Sequence, residues 1–186
     1  MASAVQILME QFTESSANLV GLLDGISEEE LGWMPTAGCW TVHHRSSPCE
    51  VPADGSGDWV IDYLWPDPEP APVTTIAWRA VHVGSVNLMY WEYAFGAGRL
   101  TFPELELPAP MATDVVSWLR DGQERLVRAL TSLNDAGLDE ARRTNWGEEW
   151  PTRQLFKTLV NEQVHHGAEI ALLKDLYRNR ETLGRA

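Results

Sequence analysis

Apolar residues recur at helical spacing in four long stretches of the chain. The predicted helices cover residues 3–24, about 75–95, a stretch that begins at Thr113, and about 152–180. The second of these is apolar on nearly all sides and is expected to be central. Ser27, followed by three glutamates, starts an additional short helix that stops before Pro35. No stretch shows convincing paired strands, so the pattern predicts an all-α fold, a four-helix bundle.

The segment 35–73 interrupts this helical pattern between the first and second long helices. Its seven prolines exclude a long helix. It also contains apolar clusters such as residues 59–65, which are too hydrophobic for a free linker. We expect an ordered Pro-rich excursion packed on the body, which a short hairpin would fit. The whole chain, 1–186, is expected to be a single domain.

Charge and composition exclude several classes of function. Fourteen basic and 27 acidic residues give a net charge of −13, which repels nucleic-acid phosphates and anionic lipid. No apolar run approaches the ~20 residues of a membrane span, and the N-terminal stretch lacks the basic start of a signal peptide. Two cysteines suit a reducing compartment. We therefore expect no nucleic-acid partner, no membrane association and a cytoplasmic location.

The last predicted helix carries polar residues on its core-facing side. With Leu155 as origin, Glu162 and His166 fall on the same stripe as the apolar residues. An ionised carboxylate buried without a partner costs several kcal/mol, so this placement needs a reason. Residues four apart lie one turn above each other, and a carboxylate and an imidazole so placed can share a metal ion. A buried Glu–His hydrogen-bonded pair is the alternative.

A third ligand would have to come from another helix, and His82 is the candidate. It lies in the middle of the apolar helix 75–95. A single histidine on such a helix can also be a core residue with satisfied hydrogen bonds. Two polar sites in the middle of core-facing helices favour one shared interior site.

The sequence resembles the DinB-like (damage-inducible) metalloprotein superfamily, in particular its actinobacterial branch. The resemblance rests on VNEQVHHGAEIALLKDLYR, TTIAWRAVHVG and GWMPTAGCWTV, and it covers nearly the whole chain in order. It implies a four-helix bundle with long crossover connections. It also implies a divalent metal held by one histidine of the second long helix and an H-x-x-x-H pair of the fourth.

Carried over position by position, the resemblance assigns the metal to His82, Glu162 and His166. Glu162 stands where many members have histidine, and a carboxylate is an ordinary ligand for Zn or Ni, the metals we expect. The mycothiol-dependent maleylpyruvate isomerases are similar in using a His/Glu/His set. Relatives of known activity are thiol-dependent isomerases and thiol S-transferases.

The resemblance therefore implies a metal-dependent enzyme that activates a low-molecular-weight thiol, such as mycothiol, against an electrophile. The attacking group would be a metal-bound thiol or water. A bundle that holds a metal or small ligand without turnover is the alternative function. Apolar outer faces, together with the dimers common among the relatives, favour a homodimer.

The other candidate residues near the proposed metal site have two interpretations each. Arg79, one turn before His82, would bind an anionic substrate group or form a rim ion pair. Glu169, one turn after His166, would accept a hydrogen bond from a ligand imidazole or lie on the helix flank. The aromatic residues Trp40, Tyr90, Trp146 and Trp150 would wall a pocket or fill the core.

A rival metal site lies in the Pro-rich segment. Cys39, His43, His44 and Cys49 fall within eleven residues, a density that can hold structural zinc. Their spacing fits no standard zinc knuckle, and the sequence does not assign them a role.

Overall fold

The computed structural model describes residues 2–66 and 68–183. Within them are five α-helices: α1 (Ala4–Gly21), α2 (Glu28–Leu31), α3 (Ile76–Phe95), α4 (Ala112–Thr131) and α5 (Thr152–Arg178). Two short 3₁₀ helices cover Phe102–Glu104 and Asp135–Asp139. The prediction of a mostly helical protein is confirmed, and the helices lie where the sequence predicts them. No helix in the described part of the chain is long and apolar enough to cross a membrane.

The structure adds two small sheets to the predicted all-α fold, one of them in the segment 35–73 for which a short hairpin was left open. Strands β1 (Val42–His44), β2 (Ala53–Asp54) and β3 (Trp59–Asp62) form an antiparallel sheet in the order β1-β3-β2. Strands β4 (Ala141–Arg143) and β5 (Glu149–Pro151) form an antiparallel pair before α5. Each strand has two to four residues, too few to show a period of two, and three consecutive residues of β3 are buried.

The four long helices pack around a shared apolar interior. Helix α3 packs on α4 and α5, and α1 packs on the same two helices. Helix α3 is buried on most sides, as its sequence predicts. The edge-to-face contact of Phe12 on α1 with Phe156 on α5, 5.7 Å between ring centroids, belongs to this interior.

Helices α3 and α4 approach each other closely at two glycines. The Trp118 ring of α4 lies over Gly84 of α3, and its Nε1 donates a hydrogen bond of 3.2 Å to the Val81 carbonyl. A Cβ on Gly122 of α4 would come within 2.9 Å of Asn87 Cβ. The absence of a side chain at both positions sets the separation of the two helices.

The N-terminus of α1 is capped by a residue far along the chain. Backbone amides of Ala4 and Val5 donate to the two carboxylate oxygens of Asp135, at 3.1 and 3.0 Å. These hydrogen bonds favour the charged carboxylate and lower the pKa of Asp135. Ser3 adds a local capping box with Gln6.

The three-stranded sheet is attached to the beginning of α3. Trp40 and Thr74 form an isolated parallel bridge, and Trp78 Nε1 donates to the Asp62 carbonyl at 2.7 Å. The Thr75 hydroxyl caps α3 and lies 3.1 Å from that of Thr41. The sheet is thereby held beside the first two turns of α3, which carry Arg79 and His82.

Candidate metal centre

The structure brings His82, Glu162 and His166 together. Their possible ligand atoms all lie within 4.8 Å of one another. His166 Nε2 and Glu162 Oε2 are 3.2 Å apart, one helical turn from each other on α5. The His82 ring comes from α3 and meets the His166 ring nearly at a right angle, with 5.1 Å between centroids. One donor from α3 and two from α5 therefore converge where these helices pack.

No hydrogen bond to a described residue accounts for the position of the His82 ring. Its ring stacks on Trp78 with 4.8 Å between centroids and 10° between planes. Within residues 2–66 and 68–183, neither of its ring nitrogens has a hydrogen-bond partner. A buried Glu162–His166 pair would account for two of the three residues, but it would leave His82 unexplained. A nitrogen lone pair without a proton donor nearby is what a metal ligand requires.

The protonation of His82 also suits a ligand. Burial, followed by the charge of a protonated His166 beside it, lowers the pKa of His82 well below its ordinary value. His82 is thus neutral at pH 7. Glu162 accepts a hydrogen bond from His166, which lowers the pKa of the Glu162 carboxyl and keeps it ionised.

His166 is buried between two carboxylates. Its Nδ1 lies 2.6 Å from Glu169 Oε2, while Nε2 faces Glu162. Burial alone would lower the pKa of His166, but the hydrogen bonds to Glu162 and Glu169 outweigh it and raise that pKa. If the His166 ring is neutral and its Nδ1–H donates to Glu169, the lone pair of Nε2 points at the Glu162 carboxylate. Two hydrogen-bond acceptors then face each other. A proton or a cation between them resolves this contact.

Arg79 forms an ion pair with Glu169. Its Nε lies 3.1 Å from Glu169 Oε2, and its guanidinium sits over the Trp78 ring at 5.0 Å. Burial lowers the pKa of Arg79, and the Glu169 carboxylate opposes this shift. Arg79 thereby balances the charge of the carboxylate that holds His166. Whether it also binds an anionic substrate stays a prediction.

Glu169→Ala should weaken divalent-metal binding about 10- to 100-fold, since partners of a ligand imidazole contribute that much to metal affinity. The change removes the acceptor that holds Nδ1 of His166. Metal competition with a chromophoric chelator measures the affinity. Glu124→Ala, which removes an exposed glutamate paired with Arg128 on α4, is the matched control and should leave the affinity unchanged. Equal affinities in the two variants would contradict the role of Glu169.

Three of the four candidate aromatics cluster on one flank. Trp146 contacts Tyr90 and Trp150, with ring centroids 5.8 and 4.9 Å apart. Burial, and then the Glu162 charge, raise the pKa of Tyr90 to about 12. Trp40 instead packs in the core against Trp78.

A small cavity borders His82 where α3 meets the three-stranded sheet and the segment 102–107. Its walls include His82, Ser85, Tyr63, Phe102 and Leu105, and its volume is about 10 Å³. That is room for about one water molecule. A larger molecule would have to reach the centre from the side of Glu162 and Glu169, whose side chains are 27% and 32% exposed.

The rival group in the Pro-rich segment is only partly assembled. The Cys39 thiol is buried and contacts the Trp40 carbonyl, and burial raises its pKa to about 11. His44 Nδ1 lies 2.7 Å from the Ser46 hydroxyl. His43 and Cys49 do come together, around Asp62 of β3. Sequence reasoning missed Asp62 because the strand that carries it was not predicted.

Comparison with known proteins identifies the fold. A family model described as the DinB superfamily matches residues 11–170. Among solved structures, the chain is similar to a DinB-like protein from Bacillus cereus ATCC 10987, with a TM-score of 0.61, 16% identity and 95% of each chain covered. A search of curated proteins gives no significant match.

Proposed function

The chain belongs to the DinB superfamily, and from this premise we propose that it is a divalent-metal-dependent enzyme that activates a low-molecular-weight thiol. The reaction would be S-transfer or isomerisation of an electrophilic small molecule. The convergence of His82, Glu162 and His166, with His82 free of any other described polar partner, carries the proposal. A catalytic site has three protein ligands and one open position, and this set offers three donors beside a partly exposed side.

The donor set suits Zn²⁺ or Ni²⁺. Two neutral imidazoles and one carboxylate are ordinary ligands of both ions. A bound divalent ion would act as a Lewis acid that lowers the pKa of a thiol and makes it nucleophilic near neutral pH. Glu169 would hold the proton on Nδ1 of His166, so that Nε2 faces the ion. Tyr90, Trp146 and Trp150 would restrict water on one flank.

We also propose which relatives the chain is nearest to and how its helices are arranged. We place it in the actinobacterial branch, related to the mycothiol-dependent maleylpyruvate isomerases and thiol S-transferases. The four long helices would form a four-helix bundle with long crossover connections, and 35–73 an ordered excursion. The packing of α3 and α1 each on both α4 and α5 supports this arrangement.

Metal affinity should fall as the pH is lowered from about 8 to about 6. The raised pKa of His166 lies above the ordinary histidine value of about 6.5, and a protonated imidazole cannot bind a metal. Affinity is therefore full above that pKa and falls below it, about tenfold per pH unit, as one proton must be displaced. His82, with its lowered pKa, adds no loss in this range. Isothermal titration calorimetry at several pH values across this range measures the metal affinity. An affinity that does not change with pH would contradict the assignment of His166 as a ligand.

The proposed activity is tested with purified protein loaded with Zn²⁺ or Ni²⁺. A mycothiol-like thiol and a panel of electrophiles are supplied, and consumption of both is followed. Thiol-dependent turnover should appear in the loaded protein and be lost in His166→Ala. His165→Ala, a change at the exposed neighbouring histidine, is the control. A full equivalent of metal without thiol-dependent turnover would instead support the non-catalytic bundle.

A further inference from the structure

A second group of metal-binding side chains lies in the three-stranded sheet, apart from the proposed centre. It comprises His43 on β1, Asp62 on β3 and Cys49 in the loop between β1 and β2. His43 Nε2 lies 3.0 Å from Asp62 Oδ1, and Cys49 Sγ lies 3.2 Å from the same oxygen. All three ligand atoms lie within 4.8 Å of one another.

Asp62 is fixed before any ligand binds. Its side chain is buried, and Oδ2 accepts a 2.7 Å hydrogen bond from the Thr41 amide. Its backbone carbonyl accepts from Trp78 Nε1. Oδ1 is thereby directed at His43 and Cys49. A buried carboxylate held in this way needs a proton donor or a cation at its second oxygen.

Both ring nitrogens of His43 face oxygen acceptors. Nδ1 lies 3.2 Å from the His44 carbonyl oxygen, and Nε2 faces the Asp62 carboxylate. A neutral imidazole carries one N–H, so either tautomer leaves a nitrogen lone pair against an oxygen acceptor. Two arrangements remove this conflict. Either the ring is a doubly protonated imidazolium, or Nδ1–H donates to His44 and Nε2 shares a cation with Asp62.

The position of Cys49 favours the cation. It brings a third possible ligand atom, sulfur, to the Asp62 oxygen that already faces His43. Zinc–ligand distances of about 2.0–2.3 Å imply about 3.3–3.6 Å between tetrahedral donors. The observed 3.0 and 3.2 Å are a few tenths shorter, which small side-chain shifts can correct. The thiol, imidazole and carboxylate together suit zinc, and the exposed Cys49 leaves a side open for water.

The same contacts argue against Cys49 as a nucleophile. Its thiol contacts Asp62 rather than a ring nitrogen that could take its proton. Burial raises the pKa of Cys49, and the neighbouring Asp62 carboxylate adds to this, against a hydrogen bond to Val51 that lowers it. Without a cation, the thiol is protonated at neutral pH and poorly reactive.

We propose that His43, Cys49 and Asp62 form a second, zinc-type metal site that fastens the loop after β1 to the sheet. The ion would take the place of the Cys49 proton, with Nε2 of His43 and Oδ1 of Asp62 as its other protein ligands. The site shares no residue with His82, Glu162 and His166. An experiment can therefore disprove one of the two metal sites without affecting the other.

Cobalt(II) is the probe, because a thiolate bound to Co²⁺ gives an intense ligand-to-metal charge-transfer absorption that imidazole and carboxylate ligands do not give. Metal-free protein titrated with Co²⁺ should develop this absorption with about one equivalent at the thiolate site. His166→Ala, which removes a ligand of the other centre, should retain it. Cys49→Ser should lose it while keeping the equivalent bound at the other centre.

Cys39→Ser is the matched control, since it removes the other, buried thiol and should leave the absorption intact. His43→Gln should weaken Co²⁺ binding at this site at least tenfold, and it tests the site even if Cys49→Ser misfolds. Wild-type protein that binds Co²⁺ without any thiolate absorption would overturn the proposal and leave His43 as an imidazolium paired with Asp62. Absorption that persists in Cys49→Ser and disappears in Cys39→Ser would also overturn it.

Discussion

His166→Ala should lower divalent-metal affinity by more than about 100-fold and remove one equivalent of metal from the purified protein. Loss of a residue that only orients a ligand imidazole costs about 10- to 100-fold, so loss of a ligand should exceed this range. The variant would leave His82 and Glu162 as the remaining donors, on different helices. Elemental analysis of wild type and variant, purified identically, measures the effect, with His82→Ala run beside them.

The neighbouring His165 provides the control for this experiment. Its side chain is 62% exposed, and its Nε2 lies 3.4 Å from Glu169 Oε1. His165→Ala removes an imidazole from the same turn of α5 and should keep the full metal content. If Glu162 and His166 were only a buried pair, His166→Ala would leave the metal content unchanged. It would then destabilise the fold by about 3–5 kcal/mol through the unpaired carboxylate.

Gly84→Val should destabilise the protein by about 3 kcal/mol, the upper end of the range for over-packed interiors. A Cβ at this position would overlap Trp118 Cδ1 and come within 2.6 Å of Nε1. The indole cannot simply swing away, because Nε1 donates to the Val81 carbonyl. At roughly 2–4 °C per kcal/mol for a chain of this size, the melting temperature should fall by about 6–12 °C.

Gly21→Val is the matched substitution for Gly84→Val. Gly21 also lies in a helix, but a Cβ there would meet no atom within 4 Å. Differential scanning calorimetry of the two variants separates crowding between helices from the effect of valine in a helix. Equal melting temperatures for both would contradict the close contact of α3 with α4.

The helices and the donors they carry were predictable because both depend on local spacing. A 3.6-residue period locates α3 and α5, and the same period puts Glu162 and His166 on a core-facing stripe. The sequence could not place His82 against them, since that contact depends on how α3 crosses α5. The resemblance to the superfamily supplied the pairing that periodicity left open.

The sheet and its side-chain cluster could not be predicted from local pattern. Strands of two to four residues carry too little periodicity, and β3 pairs with both β1 and β2 across proline-rich loops. Asp62 therefore remained unnoticed, although it joins His43 to Cys49. The hydrophobic pattern shows Trp78 only as one more apolar position of α3, whereas its indole contacts the His82 ring and the Asp62 carbonyl.

The capping of α1 by Asp135 has a consequence for synthesis on the ribosome. Helix α1 is translated well before its partners α4 and α5 and before its capping carboxylate. Phe12, fully buried in the finished protein, has no Phe156 to pack against until about 140 more residues have been added. At about 5–20 residues per second, the nascent chain exposes this apolar face for about 7–30 seconds. Chaperones that bind emerging hydrophobic segments would meet α1 before the rest of its core exists.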